Sequence, residues 1–138
     1  MNVIQSFRTC AAAASLLAMA AGGFPAQARG ASVRELPQEL RGSWGVETED
    51  CNDAESEGRI NVTATVIDSP GLKFTLSKIR QLPNGVWRAS ALRTEAGKKR
   101  KQRMDIEIVA LAPDRLRFRA GNTQAEEFSF CRPSRLIG

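Results

Sequence analysis

The chain has 138 residues, 20 basic against 15 acidic, with no histidine and no tyrosine. This length supports one domain with a modest core. The missing histidine removes the commonest general base and the commonest transition-metal ligand, so neither an enzyme nor a metal or cofactor centre is expected.

Residues 1–28 read as a secretory signal. Arg8 carries positive charge near the start, residues 9–24 form an uncharged alanine-rich run, and Ala26 and Ala28 are the small residues that place cleavage after Ala28. The run is shorter than the about 20 apolar residues of a membrane span, and no later segment approaches that length. Cys10 stands at the start of the run and not after it at the processing point, which argues against a lipoprotein, and it departs with the signal. The remaining domain, residues 29–138, holds 19 basic and 15 acidic residues, a net charge of +4, and is expected in the periplasm or outside the cell. Its mild basic excess favours anionic surfaces without naming one.

Two cysteines remain in that oxidising destination, Cys51 and Cys131, and they read as one disulfide. Closing a loop of about 80 residues constrains the unfolded chain by about 4 kcal/mol in the entropy model. A redox-active pair needs close spacing such as Cys-x-x-Cys, which is not present.

Along the domain, residues 29–35 read as a flexible lead-in and residues 36–40 (LPQEL) as one helical turn with Pro37 at its start. Residues 43–48 are the first expected strand. Ile60, Val62, Ala64 and Val66 then alternate with polar residues, and after DSPG so do Leu72, Phe74 and Leu76. Asn84-Gly85 is a strong hairpin signal. It leads into Trp87, Ala89 and Ala91 against Arg88, Ser90 and Leu92. The basic tract of residues 98–103 precedes Met104, Ile106, Ile108 and Ala110. Leu116, Phe118 and Ala120 follow after APDR, and Phe128 and Phe130 after GNTQ. Seven strands are countable, and an eighth can hide in an irregular stretch. Short strands about ten residues apart, joined by turn signals, predict an all-β fold: a small antiparallel up-and-down barrel of seven to eight strands with a short N-terminal helical turn. Closure would remove exposed edges.

Gly42, Ser43 and Trp44 follow the helical turn and open the first strand, and Arg132 follows the last. This resembles the calycin arrangement of lipocalins, in which a Gly-x-Trp packs under a basic residue from the last strand. The resemblance implies that Trp44 and Arg132 form a barrel-closing pair, the guanidinium stacked on the indole. Leu36, Pro37, Leu40, Gly42, Trp44, Cys51, Cys131 and Arg132 are also similar to a pattern in small secreted proteobacterial barrel proteins. Metalloprotease inhibitors of the alkaline-protease inhibitor family share the size, signal and Gly-x-Trp. Their disulfide, however, joins cysteines near the start of the barrel.

Three charged stretches are candidate sites. The acidic run Glu47, Glu49, Asp50, Asp53, Glu55 and Glu57 approaches the alternation of a calcium loop, but its cysteine and poor spacing make it a solvated loop. Lys98, Lys99, Arg100, Lys101 and Arg103 are candidate anion-binding residues between two strands, and also suit a solvated hairpin tip. Arg115, Arg117 and Arg119 can clamp an anion or can pair across to Asp105 and Glu107.

The reading is a monomeric, non-enzymatic binding protein acting through the barrel mouth or its loops, without cofactor and without nucleic acid as partner. A small apolar ligand, a secreted protease or lysozyme, and an anionic lipid or lipopolysaccharide surface stay open as partners. Phe74, Trp87, Met104, Ile106, Phe118, Phe128 and Phe130 are expected to line or fill the interior.

Overall fold

The computed structural model describes residues 32–133. The signal segment expected at residues 1–28 lies outside them. The strands are β1 (Ser32–Val33), β2 (Gly42–Gly45), β3 (Arg59–Val62), β4 (Val66–Ser69), β5 (Leu72–Gln81), β6 (Trp87–Glu95), β7 (Gln102–Ala112), β8 (Arg115–Ala120) and β9 (Glu126–Phe130). Each of β2 to β9 pairs antiparallel with the next, and β2 pairs with β9, so these eight strands close an up-and-down barrel. No helix among the described residues is long and apolar enough to cross a membrane.

Three segments differ from the expectation, the first being the opening strand, expected over residues 43–48, which spans Gly42–Gly45. The stretch read as a single strand from Ile60 to Val66 is two, β3 and β4, paired through Asn61 with Asp68 and Val62 with Ile67. Thr63 folds the chain between them. Its N–H donates to the Val66 carbonyl at 2.8 Å, and its hydroxyl accepts from the Val66 N–H at 3.1 Å. A threonine side chain that bonds its own backbone builds a turn without glycine or proline, so the alternation runs on unbroken across it. This supplies the eighth barrel strand. The expected lead-in also contains β1, which pairs with β5 at Arg80 and Ile79 as an extra strand.

Alternate residues face inward. Trp44, Ile60, Val62, Ile67, Phe74, Leu76, Ala89, Ala91, Ile106, Ile108, Leu116 and Phe128 are buried, joined by Leu36 and Leu40 from the segment before β2. That segment carries a 3-10 turn at Gln38–Leu40 whose only buried residue is Leu40. Its Leu36 N–H donates to Ala64 at 2.8 Å. Arg41 holds the loop shut by donating from Nε and Nη2 to the Leu36 carbonyl, at 2.9 and 2.7 Å. Leu36 and Leu40 therefore plug the end of the barrel that carries the β3–β4, β5–β6 and β7–β8 turns. The other end carries the β2–β3 arm and the β4–β5, β6–β7 and β8–β9 turns.

Candidate functional site

At the plugged end, Trp44 is 1 % exposed, and its indole N–H donates to the Leu40 carbonyl at 3.1 Å. Its aromatic partner is Phe130, edge-on at 5.0 Å between centroids. Gly42 makes room for that ring, because a Cβ there would lie 2.6 Å from Phe130 Cε2. Arg132 does not take the lid position. The chain leaves the sheet after Phe130, Cys131 is tied to Cys51, and the Arg132 side chain is 79 % exposed with Asp114 at 3.7 Å as its ion partner.

Cys51 and Cys131 form the disulfide, with Cα atoms 5.2 Å apart across 80 residues of sequence. It lies on the outside of the barrel, over the β2–β9 seam. There the ladder has only two register pairs, Trp44 with Phe130 and Gly45 with Ser129. The 3-10 turn Glu49–Asn52 lies against Gly45, where a Cβ would meet Cys51 Sγ at 3.1 Å. Beneath the turn, Arg59 donates to the Cys51 carbonyl and to Ser43 Oγ, both at 3.2 Å.

The acidic run is organised by its own hydrogen bonds. Asp50 accepts from the Glu47 N–H at 2.7 Å and from the Ser56 hydroxyl. The Ser56 bond first, then the Glu47 N–H, hold its carboxyl below the usual carboxylate range. Among the described residues no group of three or more His, Cys, Asp or Glu is placed to hold a metal ion.

The opposite end is open. A recess of about 1430 Å³ opens there. Its apolar walls include Ile60, Leu72, Phe74, Met104, Phe118 and Phe128, and it spills over the rim to the outer-face residues Arg88, Glu107 and Arg119. Phe74 and Phe118 meet edge-on at 5.6 Å within it. Leu72, Met104, Phe118 and Ala120 are only partly buried, so apolar surface remains available at the mouth. Of the interior set expected from sequence, Ile106 is buried deeper, while Trp87 and Phe130 belong to the plugged end and are half-buried.

The same wall carries a charged group that the alternation pointed to one period further on. Arg93 shares the face of Ala89 and Ala91, stands in register with Phe74, and lines the recess. It is paired with Glu95 at 2.6 Å, and Glu95 also receives Lys98. The Lys98 hydrogen bond, then the charge of Arg93, keep the Glu95 carboxyl below its ordinary range. The basic tract stands on this rim: Lys98, Lys99, Arg100, Lys101 and Arg103 are all exposed, at or beside the β6–β7 turn.

The arginine stripe is the outer face of β8. Arg115 and Arg117 share Glu127 from β9, Arg117 at 3.0 Å. Arg119 shares Glu107 with Arg88, at 2.5 and 2.6 Å. The Arg88 hydrogen bond, then Arg119, lower the Glu107 pKa, and the Arg117 hydrogen bond leads in lowering Glu127. Asp105, one of the two partners expected for the stripe, makes no ion pair with it; Glu127 does so instead. Compared with family models, curated proteins and solved structures, the chain matches none.

Proposed function

We propose that the protein is a secreted, non-enzymatic binding protein of lipocalin-like design whose open barrel end takes one small ligand with an apolar body and a polar head. The observation that carries this reading is the recess of about 1430 Å³, which combines partly exposed Leu72, Met104, Phe118 and Ala120 with the inward-facing Arg93. The lining of the whole recess mixes apolar with many charged and polar side chains, so the apolar part of the mouth with Arg93, and not the full volume, is the candidate site. The two ends divide the labour: Leu36, Leu40 and Trp44 fill one end with side chains, and the other keeps its space. The disulfide suits an extracytoplasmic destination.

Native mass spectrometry of the mature protein isolated from its source tests the reading, with an adduct of constant mass released by organic solvent as the expected result. A fluorescence titration with a hydrophobic probe runs beside it, on the wild type and on Ala120→Trp, which fills the mouth. Bare protein together with equal probe binding by both forms overturns the proposal.

A further inference from the structure

The fold brings together two features that are separate in the sequence. The basic tract lies on the rim of the open end and is continuous with a basic outer wall. Lys98, Lys99, Arg100 and Lys101 occupy the β6–β7 turn, and Arg103 begins the outward face of β7. Below them Glu107 is shared by Arg88 and Arg119, and Glu127 by Arg115 and Arg117, so each ion-pair group keeps one positive charge unbalanced. Arg80 and Arg88 also stand directly opposite each other in the β5–β6 ladder. Glu107 already pairs with Arg88, so this opposition adds positive charge to the wall without requiring an outside anion.

Six of the fifteen acidic residues are gathered on another part of the same open end, while Glu95, Asp105, Glu107, Glu126 and Glu127 belong to β6, β7 and β9. The closed order of eight strands puts β2 and β3 three to four strands from β6 and β7, and β8 two strands from β2. The arm between β2 and β3 carries Glu47, Glu49, Asp50, Asp53, Glu55 and Glu57. The charge is therefore uneven, with a local acidic excess on the arm and a local basic excess on the β6–β7 turn and the outer wall of β6 to β8. Such unevenness orients a protein on a charged plane, because one region is attracted and the other repelled.

We infer that the β6–β7 turn and the outer wall of β6 to β8 dock the barrel onto an anionic lipid bilayer, with the β6–β7 side of the rim against the phosphate headgroups and the acidic β2–β3 arm turned away. A planar anionic surface suits charges spread over a turn and a broad strand wall, and attraction of this kind accumulates residue by residue within a Debye length of the bilayer. The docking does not require the recess to be filled, so it stands or falls apart from the ligand reading.

Vesicle co-sedimentation of the mature protein tests it, using phosphatidylglycerol-containing and pure phosphatidylcholine vesicles in low and high salt. The expected result is binding to the anionic vesicles only, weakened by about tenfold or more in high salt. The variant Lys98→Glu, Lys99→Glu, Arg100→Glu, Lys101→Glu should lose it, with unchanged circular dichroism showing that it folds. A milder variant, Arg88→Gln with Arg119→Gln, should weaken binding partially, and Glu55→Lys with Glu57→Lys should not weaken it. Equal binding to both vesicle types overturns the inference, as does binding that survives reversal of the four turn charges. Retention on heparin without any vesicle binding also overturns it, in favour of a soluble polyanion.

Discussion

Phe130 stands edge-on to Trp44 at 5.0 Å and 75°, and its ring lies where a side chain on Gly42 would have to go, 2.6 Å from the position of a Cβ. Glycine, tryptophan and phenylalanine thus form one packing unit on neighbouring strands. Gly42 also has φ +129°, a conformation that side-chain-bearing residues rarely adopt. Gly42→Ala is expected to destabilise the fold by about 2 kcal/mol or more, through the clash and the backbone together. Phe130→Leu should soften the clash, so the double variant should lose less than the sum of the two single losses in urea denaturation. Simple additivity would mean that the two residues do not interact as described.

The disulfide acts on one of the two shortest ladders of the barrel, since β2–β9, like β3–β4, has two register pairs while β6–β7 has seven. Replacing both cysteines by serine, or adding reductant, should lower stability by about 4 kcal/mol, a large part of the margin of a domain this size. Amide exchange should rise first in β2 and β9 and least in β6 and β7. Uniform exchange across the barrel would show that the bond does not act on the seam.

Much of this fold was legible because strands with one buried face write their alternation into the sequence. Phe74, Ile106, Leu116 and Phe128 all sit on the side their spacing assigns. The turn at Thr63 was hidden because its hydrogen bonds come from a β-branched residue that also suits a strand. The Trp44–Arg132 pairing could not be settled by a motif, which names residue types and not places; here the indole packs against Phe130 while Arg132 is exposed beside Asp114. Neither the open mouth nor its meeting with the basic tract was readable, because both depend on which turns share an end. Arg93 was within reach, two residues beyond Ala91 in an alternation that had already been recognised.

Arg59 is covered by the β2–β3 arm, and its Nε is buried without a partner while its two terminal nitrogens hold Cys51 and Ser43. Arg59→Ala should release the arm at a cost of about 1 to 3 kcal/mol, because the Cys51 carbonyl and the Ser43 hydroxyl lose their donors. Amide exchange in residues 46–58 should increase while β5 to β8 keep their protection. Loss of protection throughout the barrel would show that Arg59 supports the whole fold.

Asp50, Glu95, Glu107 and Glu127 all have carboxyl pKa values lowered by their partners. A group lowered on folding stabilises the native state above its unfolded pKa, about 4 for these residues, and that stability is lost as pH falls through the lower folded value. Stability should therefore be level near neutrality and decline below about pH 4. Glu107→Gln, which leaves Arg88 and Arg119 without their shared carboxylate, should be less stable than wild type near neutrality and should converge with it in acid. A gap in urea midpoint that stays constant with pH would assign the loss to packing instead.

Arg93 is a charged group on the wall of the recess, beside Phe74, and its charge separates two kinds of occupant. A ligand whose head is an anion gains a charge-assisted hydrogen bond from the guanidinium, whereas a neutral apolar probe gains only the wall. Arg93→Ala should weaken binding of an anionic probe such as anilinonaphthalene sulfonate by about tenfold, the scale of one such bond. It should leave a neutral probe such as Nile red nearly unchanged. Glu95→Gln removes the competing carboxylate and should move the anionic probe the other way, towards tighter binding. If both probes respond equally to Arg93→Ala, the side chain shapes the wall and the head of the ligand is held elsewhere on the rim.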